Sequence, residues 1–221
     1  MKVNRSYDGA REDLIDLGLR YVHPQRVLDL GCYRGATGRA LKLRLPEVRV
    51  VGVELDPQAA QAAQAALDTV FEGHLDEVLE SESFAGQERF DLVLCGDILE
   101  HLPDPERSLR RVVERHLAPG GRVVISVPNI QYYETFLLLA RGRWPRRERG
   151  IFDRTHLRFF TRRELLSMLE ACGLKVDELE REFRLVEGLH PLNRLTRFVR
   201  PLLGLAAGLF TFQLRVVAHV R

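Results

Sequence analysis

The stretch VLDLGCYRGATG, residues 27–38, constrains the fold of this chain more than any other part of its sequence. It reads as an apolar strand that contains an acid, Asp29, and continues into a turn with Gly31 and Gly35. Glycines in such a turn let the backbone approach a ligand closely, and the following helix offers its positive N-terminus to an anionic group. The turn could therefore cradle a phosphate, grip another nucleotide-like cofactor, or simply join a strand to a helix.

Strand-like and helix-like segments alternate over the first two-thirds of the chain. Turn residues separate them, such as Pro46 and Pro119. Because continuous apolar strands that alternate with helices need cover on both faces, the pattern predicts an α/β fold with a parallel sheet. The predicted strands are residues 26–30, 48–54, 69–72, 90–95 and 122–127, and the predicted helices are residues 37–45 and 57–67.

The last third of the chain has a different character. Thr161 suits a helix N-cap, with an acid three residues later and Gly173 as the stop. Strands are predicted at residues 174–185 and 211–220. Between them, residues 189–210 are apolar and basic and predict a helical insertion. Packing against the sheet is its simplest role, and a peripheral contact with a membrane or a lipid-linked acceptor is the alternative.

Length, charge and cysteine content argue against several classes of protein. A chain of 221 residues favours one domain, residues 1–221, with a sizeable core. The formal net charge of +2 gives no electrostatic argument for a nucleic-acid partner. Three scattered cysteines and an N-terminus without an apolar signal core lead us to expect a cytoplasmic protein. The longest uncharged run, residues 201–214, is too short to span a bilayer.

Two familiar nucleotide-binding motifs do not fit the glycine-rich turn. A P-loop needs Gly-Lys-Ser or Gly-Lys-Thr, which is absent, and the nicotinamide fingerprint G-x-G-x-x-G is broken at Tyr33. In open α/β sheets, ligands bind at the carboxyl ends of the strands. Glu54 ends the second predicted strand and is placed to accept hydrogen bonds from ribose hydroxyls. The same placement would serve any cofactor that contains ribose.

Five motifs in order carry a family resemblance. They are VLDLGC, VVGVELDP, FDLVLCGDILEHLPDPERSL, LAPGGRVVISVPN and FDRTHLRFFT. Together they resemble class I S-adenosylmethionine-dependent methyltransferases, and most closely the bacterial group with ubiquinone-type O-methyltransferases and methyltransferases of polysaccharide clusters. The resemblance implies a doubly wound, seven-stranded sheet in three α/β/α layers. The implied strand order is 3-2-1-4-5-7-6 with the last strand antiparallel, and the implied cofactor is S-adenosyl-L-methionine.

The resemblance also implies which residues of the first turn contact the cofactor. Asp29, Gly31 and Gly35 would hold its methionine part. Tyr33 occupies a position where the family often has a small residue. This departure reshapes the expected pocket but keeps both flanking glycines.

The ribose and adenine contacts are implied by the ends of the next two strands. Glu54, followed by Leu55, would bind the ribose diol. The family commonly has Gly-Asp after the third strand, and here His74 takes the position of that acid. Asp76 is an alternative contact for the adenine amine, and Leu75 could meet the ring through its backbone. A plain surface histidine at position 74 is an equal alternative.

Candidate catalytic residues follow the fourth and fifth strands. Gly96 and Asp97 would face the cofactor. His101 comes next, and a histidine with a pKa near neutrality suits removal of a proton from a hydroxyl. A structural histidine that orders its loop is the alternative there, and His156 is a rival base. Asn129, at the end of the fifth strand, would border the acceptor pocket.

Residues 140–160 form an unusually arginine-rich segment. One interpretation is a solvated surface loop. The other is a substrate lid whose arginines bind an anionic group such as a phosphate or a carboxylate. Arg154 and Arg158 match the family's DRTHLRFF pattern, which favours contacts with the acceptor.

The implied activity is transfer of a methyl group to a hydroxyl of a small acceptor, with S-adenosyl-L-homocysteine as product. A sugar of a surface glycan or glycoside is the first acceptor class, and a quinone precursor is the second. The histidines and acids show no metal-ligand spacing, so the sequence predicts no metal. The rival function is a cofactor-binding partner or regulatory subunit without turnover of its own.

Overall fold

A computed structural model of the chain describes residues 9–186, Asn193, Thr196 and residues 206–221. Over these residues, seven strands form one sheet in the order β3-β2-β1-β4-β5-β7-β6. The last strand runs antiparallel to both of its neighbours, whereas the first five pair in parallel. The predicted fold class and strand order are therefore confirmed. The strands are β1 (Arg26–Leu30), β2 (Arg49–Glu54), β3 (Thr69–Glu72), β4 (Phe90–Gly96), β5 (Leu117–Pro128), β6 (Leu174–Phe183) and β7 (Thr211–Val220).

Helices cover the two faces of the sheet because successive strand side chains point to opposite sides. Val27 packs with α1, α2 and α3, whereas its neighbour Leu28 packs with α4, α5, α6 and α8. The two apolar cores are thus separated by the sheet itself. The helices are α1 (Glu12–Leu19), α2 (Ala36–Arg44), α3 (Pro57–Ala63), α4 (Leu75–Glu80), α5 (Glu82–Ala85), α6 (Pro105–His116), α7 (Tyr133–Leu139), α8 (Arg162–Ala171) and α9 (Ala207–Phe210).

Two of the predicted helices show that a local capping signal determines one helix end, whereas tertiary packing determines another. Helix α8 begins as predicted, because the Thr161 hydroxyl accepts the N–H of Glu164 at 3.4 Å. The predicted helix over residues 57–67 is too long, since α3 ends at Ala63. The chain then turns so that Leu67 packs into the core, where its side chain is only 6% exposed.

A smaller apolar cluster lies beside the carboxyl end of the sheet. Tyr132, Phe152 and Phe212 form it together with Ile151, and all four side chains are buried. The rings of Tyr132 and Phe212 meet edge to face with centroids 5.4 Å apart. Because Ile151 and Phe152 belong to residues 140–160, this cluster fastens the arginine-rich segment to the sheet.

The predicted helical insertion over residues 189–210 lies largely outside the described residues. Asn193, Thr196 and residues 206–210 are described, and the last of these include the short helix α9. Among the described helices, none has the length and apolarity needed to cross a bilayer.

Candidate active site

A cavity of about 570 Å³ lies at the carboxyl ends of β1, β4 and β5. It is the place that doubly wound sheets use for ligands, because loops diverge there. The antiparallel direction of β7 brings that strand's first residues to the same edge, where Gln213 pairs with Pro128. The charged and histidine side chains in the wall are Arg11, Asp29, Asp97, Glu100, Arg149, His156 and Arg184.

The loop after β1 is held down over β2 by backbone hydrogen bonds. Gly31 and Cys32 both donate their N–H groups to the carbonyl of Val53, at 2.8 and 3.1 Å. Gly31 has φ of 71°, and a Cβ there would lie 3.0 Å from a methyl of Ile98. Gly35 has φ of 73° at the N-cap of α2. The turn therefore needs glycine at both positions to present its backbone to the cavity.

Tyr33 adopts φ of 47°, in the left-handed region that side chains other than glycine rarely occupy. This explains why a small residue suits the position and why the tyrosine is unusual there. The Tyr33 N–H donates to the Glu54 carboxylate at 2.7 Å, and that carboxylate also accepts the Asp56 N–H at 2.9 Å. Glu54 thus joins the loops after β1 and β2 and is bonded to Tyr33, which lines the cavity.

Asp29 is a buried carboxyl group in the wall of the cavity. It is 6% exposed, and its Oδ2 atom has no hydrogen-bond partner among the described residues. Burial, with a smaller contribution from the charge of Glu54, raises the pKa of Asp29 to about 7. A buried carboxylate without a partner is costly. The site is therefore built to receive a cation or a hydrogen-bond donor.

Asp97 and Arg11 form an ion pair on another side of the same cavity. Ser126 donates to Asp97 at 3.0 Å, and Gln213 also donates to that carboxylate. Asp97 has φ of 55°, which places its backbone in a strained conformation directly after β4. Burial raises the pKa of the Asp97 carboxyl, and the charge of Arg11 opposes that rise. Arg11 in turn donates two hydrogen bonds to Asp13, each 2.9 Å long.

Glu100, His101 and His156 come together from two distant parts of the chain. The rings of His101 and His156 lie edge to face with centroids 4.8 Å apart. The Nε2 atom of His156 is 4.0 Å from a carboxylate oxygen of Glu100. The backbone carbonyl of Glu100 accepts the N–H groups of Leu157 and Arg158 at 2.8 and 3.0 Å. These bonds join the segment that contains Glu100 and His101 to the segment that contains His156.

The hydrogen bonds of the two histidines define which ring nitrogen carries the proton in each neutral ring. Nδ1 of His156 lies 3.1 Å from the carbonyl of Ile151, which can only accept. Nδ1 of His101 lies 3.3 Å from the carbonyl of Thr155. Both Nδ1 atoms must therefore be donors, which leaves both Nε2 lone pairs free. Burial lowers the pKa of His101 and of His156, so both rings are neutral near pH 7.

Comparison with known proteins then identifies the family. A family model described as a methyltransferase domain matches residues 6–179. The chain belongs to this family. A relative in Aeromonas salmonicida, named ubiquinone biosynthesis O-methyltransferase, is 28% identical over 187 residues, covering 80% of this chain and 77% of the relative. A protein of the same name in Aliivibrio fischeri is 30% identical over 176 residues, covering 78% and 70%.

Other comparisons cover less of the chain or are less similar in sequence. A tRNA1(Val) (adenine(37)-N6)-methyltransferase of Porphyromonas gingivalis is 32% identical over 128 residues, which cover 48% of this chain and 50% of that relative. A methyltransferase structure from Archaeoglobus fulgidus superposes with a TM-score of 0.62 at 20% identity, covering 97% and 96% of the chains. One from Mesorhizobium loti gives 0.61 at 23% identity, covering 96% and 99%. These likenesses establish a shared fold.

The protein is an S-adenosylmethionine-dependent methyltransferase, and its residues fit that cofactor. The cofactor carries an ammonium and a sulfonium cation, and the unpartnered buried oxygen of Asp29 calls for such a charge. The glycine cradle at Gly31 has no room for a side chain against Ile98. When bound, the cofactor supplies a methyl group already activated by its cationic sulfur. The methyltransferase itself must align the acceptor with the methyl group and exclude water.

The structure brings only part of the predicted site into the cavity wall. Asp29, Gly31, Tyr33, Gly96, Asp97 and His156 line it. Gly35, Glu54 and His101 do not line the cavity but adjoin its wall. Gly35 is the N-cap of α2, Glu54 accepts the N–H of Tyr33, and the ring of His101 contacts that of His156. The remaining predicted residues do not line the cavity.

The predicted adenine contacts lie at the start of α4 and outside the cavity wall. His74 is exposed, and Leu75 packs into the core at 9% exposure. The Asp76 carboxylate accepts a hydrogen bond from the Ser108 hydroxyl at 2.7 Å. Leu55 is 55% exposed just after β2. Their contacts with the cofactor stay predictions.

The predicted acceptor contacts have structural partners in the described part of the chain. The Asn129 amide donates to the carbonyls of Gly208 and Thr211, at 3.0 and 2.8 Å, and the residue is 1% exposed. Arg154 pairs with Glu148 at the surface. Arg158 donates to the carbonyl of Pro103, its Nε at 2.9 Å. These bonds hold loops in place, and none of the three residues lines the cavity.

Several wall residues carry no signal in the sequence. Arg11 precedes α1 in a segment without a motif, and Gln213 belongs to a strand predicted only from its apolar residues. Arg149 is one of many arginines in residues 140–160. Arg184 follows β6, and its guanidinium lies 4.1 Å from the centre of the Phe212 ring. Their places depend on how the sheet edge is assembled, which no local pattern encodes.

Proposed function

We propose that this methyltransferase transfers the methyl group to a hydroxyl oxygen of a small-molecule acceptor that carries an anionic group. The observation that carries the proposal is that His156 lies in the wall of the same cavity as Asp29 and Gly31. An acceptor hydroxyl beside His156 would therefore share one enclosed space with the methyl donor.

The reaction balances without any further reagent. An oxygen lone pair of the acceptor forms the new bond to the methyl carbon, and the electron pair of the carbon–sulfur bond stays with sulfur. The hydroxyl proton leaves at the cluster of Glu100, His101 and His156. Both imidazoles present free Nε2 lone pairs there, which suits a step that needs proton removal.

The choice of oxygen as attacking atom is supported by the relatives. The proteins from Aeromonas salmonicida and Aliivibrio fischeri are both named as O-methyltransferases of ubiquinone biosynthesis. These names favour a quinone precursor as acceptor. The motif FDRTHLRFFT supports the sugar of a glycan or glycoside as a second class. A transfer RNA is favoured only by a relative that matches half of this chain.

The anionic group of the acceptor is inferred from two arginines in the cavity wall. No ion pair or hydrogen bond joins the Arg149 guanidinium to another residue in the described part of the chain. Arg184 bonds Glu182 at 2.7 Å and covers the Phe212 ring, so its position is fixed. A guanidinium suits a carboxylate or phosphate because it offers paired donors. We therefore assign to Arg149 the contact with the acceptor that was predicted for Arg154 and Arg158.

Residues 140–160 act as a lid in this proposal. Trp144 stacks edge to face on Phe152 and Phe159, with centroids 5.1 and 5.3 Å apart. Phe152 belongs to the buried apolar cluster beside the cavity, so these contacts hold the segment in place. The segment thereby positions both Arg149 and His156 in the cavity wall. We also propose that residues 1–221 form one domain, because residues as far apart as Gly9 and Gln213 line the same cavity.

Arg149→Ala should raise the KM for an anionic acceptor at least tenfold and change kcat by less than about threefold, because it removes binding and not chemistry. Steady-state assays with S-adenosylmethionine and a panel of carboxylated phenols and sugar acids measure this. Arg143→Ala is the matched control, since Arg143 is exposed in the same segment and outside the cavity wall. Equal effects of the two variants, or a preference for neutral acceptors, would contradict the proposed contact.

The rival function, a cofactor-binding partner without turnover, makes a different prediction in the same assays. It predicts binding of S-adenosylhomocysteine with no methyl transfer to any acceptor of the panel. The combined variant His101→Ala and His156→Ala separates the two functions. An enzyme loses turnover in that variant, whereas a binding partner keeps its binding of S-adenosylhomocysteine.

A further inference from the structure

We propose that Glu100, His101 and His156 bind a divalent transition-metal ion at the edge of the methyl-transfer cavity. One ligand atom from each residue lies within 4.8 Å of the other two. Bonds from such an ion to nitrogen or oxygen are about 2.0–2.2 Å long, so two ligand atoms on one ion lie about 3–4 Å apart. Small side-chain rotations therefore bring all three atoms onto a single ion.

Glu100 supplies the first argument that a cation belongs here. Its side chain is 1% exposed, and its Oε2 atom has no hydrogen-bond partner in the described part of the chain. An unpartnered buried carboxylate is rare because it loses its hydration without compensation. The nearby Arg11 does not supply the missing charge, because it is bound to Asp97 and Asp13.

The histidines supply the second and independent argument. Histidine ligands of metals commonly donate their other ring N–H to a carbonyl or a carboxylate, which orients the ring. His156 does this with the carbonyl of Ile151, and His101 does it with Thr155. The Thr155 hydroxyl in turn donates to Asp153 at 2.6 Å, so its oxygen can accept from His101 at 3.1 Å. Both Nε2 atoms are thereby left as ligands.

The ligand set indicates the class of ion. Two imidazoles and one carboxylate suit Zn²⁺, Mn²⁺, Fe²⁺ or Co²⁺ and leave coordination positions open. Glu100 and His156 both line the cavity, so those positions face the space left for the acceptor. Such an ion would act as a Lewis acid that lowers the pKa of a bound acceptor hydroxyl. Because the ion would occupy both Nε2 atoms, the hydroxyl proton would pass to solvent water. Methyl transfer changes no oxidation state, so no oxidant or reductant is required.

With an ion bound, the two histidines would act as ligands and not as direct bases, and the site would hold a metal where the sequence predicts none. His101 and His156 are far apart in the sequence and show no ligand spacing, so only the fold reveals the cluster. The role of the ion in acidifying a hydroxyl rests on the proposed function. The binding of the ion does not, because its ligands all belong to the chain.

The test is a titration of the full chain with Co²⁺ after treatment with a chelator and dialysis. Visible absorption reports ligand-field bands, and elemental analysis reports the stoichiometry. We expect one Co²⁺ per chain, with affinity at least tenfold weaker in His156→Ala and in His101→Ala. His23→Ala is the matched control, since His23 is exposed and outside the cluster, and its affinity should equal that of the wild type.

Titration of the same samples with S-adenosylhomocysteine shows that each variant is folded. Failure to bind Co²⁺ while this binding is intact would overturn the metal site and return His156 to the role of direct base. Co²⁺ affinity that is equal in the wild type and in both histidine variants would overturn it as well. Failure of every acceptor in the activity panel would instead count against the proposed function and leave the metal result standing.

Discussion

Asp29→Asn is expected to stabilise the cofactor-free protein by about 2–4 kcal/mol at pH 8 and by a smaller amount, about 1–2 kcal/mol, at pH 5. Burial raises the pKa of Asp29 to about 7, against about 3.9 in an unfolded chain. Since the folded state holds the proton more tightly, the contribution of Asp29 to stability is complete below about pH 4 and is lost as pH rises through about 7. Asparagine never carries the buried charge. Urea unfolding at both pH values measures the difference.

The same substitution should weaken binding of S-adenosylhomocysteine at least tenfold at pH 8, because the ammonium of the ligand loses its counter-charge. In the wild type, binding should tighten as pH rises from 6 to 8, and in Asp29→Asn this dependence should be smaller. Asp16→Asn is the matched control, because Asp16 forms an exposed ion pair with Arg44. A wild-type stability that rises between pH 5 and pH 8 in step with the variant would contradict a buried carboxyl with a raised pKa.

Arg11→Met should destabilise the protein by about 2–4 kcal/mol, since it leaves Asp97 in the cavity wall without its cation. The methionine keeps the apolar stem of the arginine, so the loss reports the ion pairs of Arg11 with Asp97 and Asp13. Both side chains are only about one-quarter exposed, at 26% and 25%, which limits screening by water. Although burial alone would lower it, the charges of Asp97 and Asp13 raise the pKa of Arg11 further above its usual value. Denaturant unfolding at neutral pH measures the loss.

A double-mutant cycle with Asp97→Asn isolates this pair from its neighbours. The combined variant should be less destabilised than the sum of the two single variants, because each single change strands one charge. Arg20→Met is the control for removing an arginine, since Arg20 bonds Glu178 and Glu180 at the surface. Its stability should equal that of the wild type within error. Additive losses in the Arg11 and Asp97 cycle would show that the two side chains do not interact energetically.

The fold follows from features that are local in sequence. Apolar strands, turn residues and the five ordered motifs predict the sheet, and β1 and β3 have the predicted bounds. The end of α3 could not be predicted, because residues 64–67 have helical composition and only packing of Leu67 into the core stops the helix at Ala63. Propensity yields there to tertiary contacts.

The site is predictable only where one motif carries it. Asp29, Gly31 and Asp97 are recognisable because they lie in the motifs VLDLGC and FDLVLCGD, which carry the family resemblance. Arg11 and Gln213 are not recognisable from the sequence. Arg11 directly precedes α1, and Gln213 lies in the antiparallel strand β7, so only the assembled fold brings them to the cavity. Within residues 140–160, sequence alone could not separate the arginine that faces the cavity from those that bond Glu148 or Pro103.

The most direct test of the account is a calorimetric titration of the chain with S-adenosylhomocysteine, repeated with Glu54→Ala and Glu72→Ala. Glu54 joins the loops after β1 and β2 through its bonds to the Tyr33 and Asp56 N–H groups, and it keeps lone pairs for ribose hydroxyls. Glu72 is its exposed partner in the β2–β3 pairing and serves as control. We predict one site per chain with a dissociation constant on the order of micromolar, weakened at least tenfold only in Glu54→Ala. No binding by the wild type, or equal binding by all three proteins, would contradict a cofactor site at these strand ends.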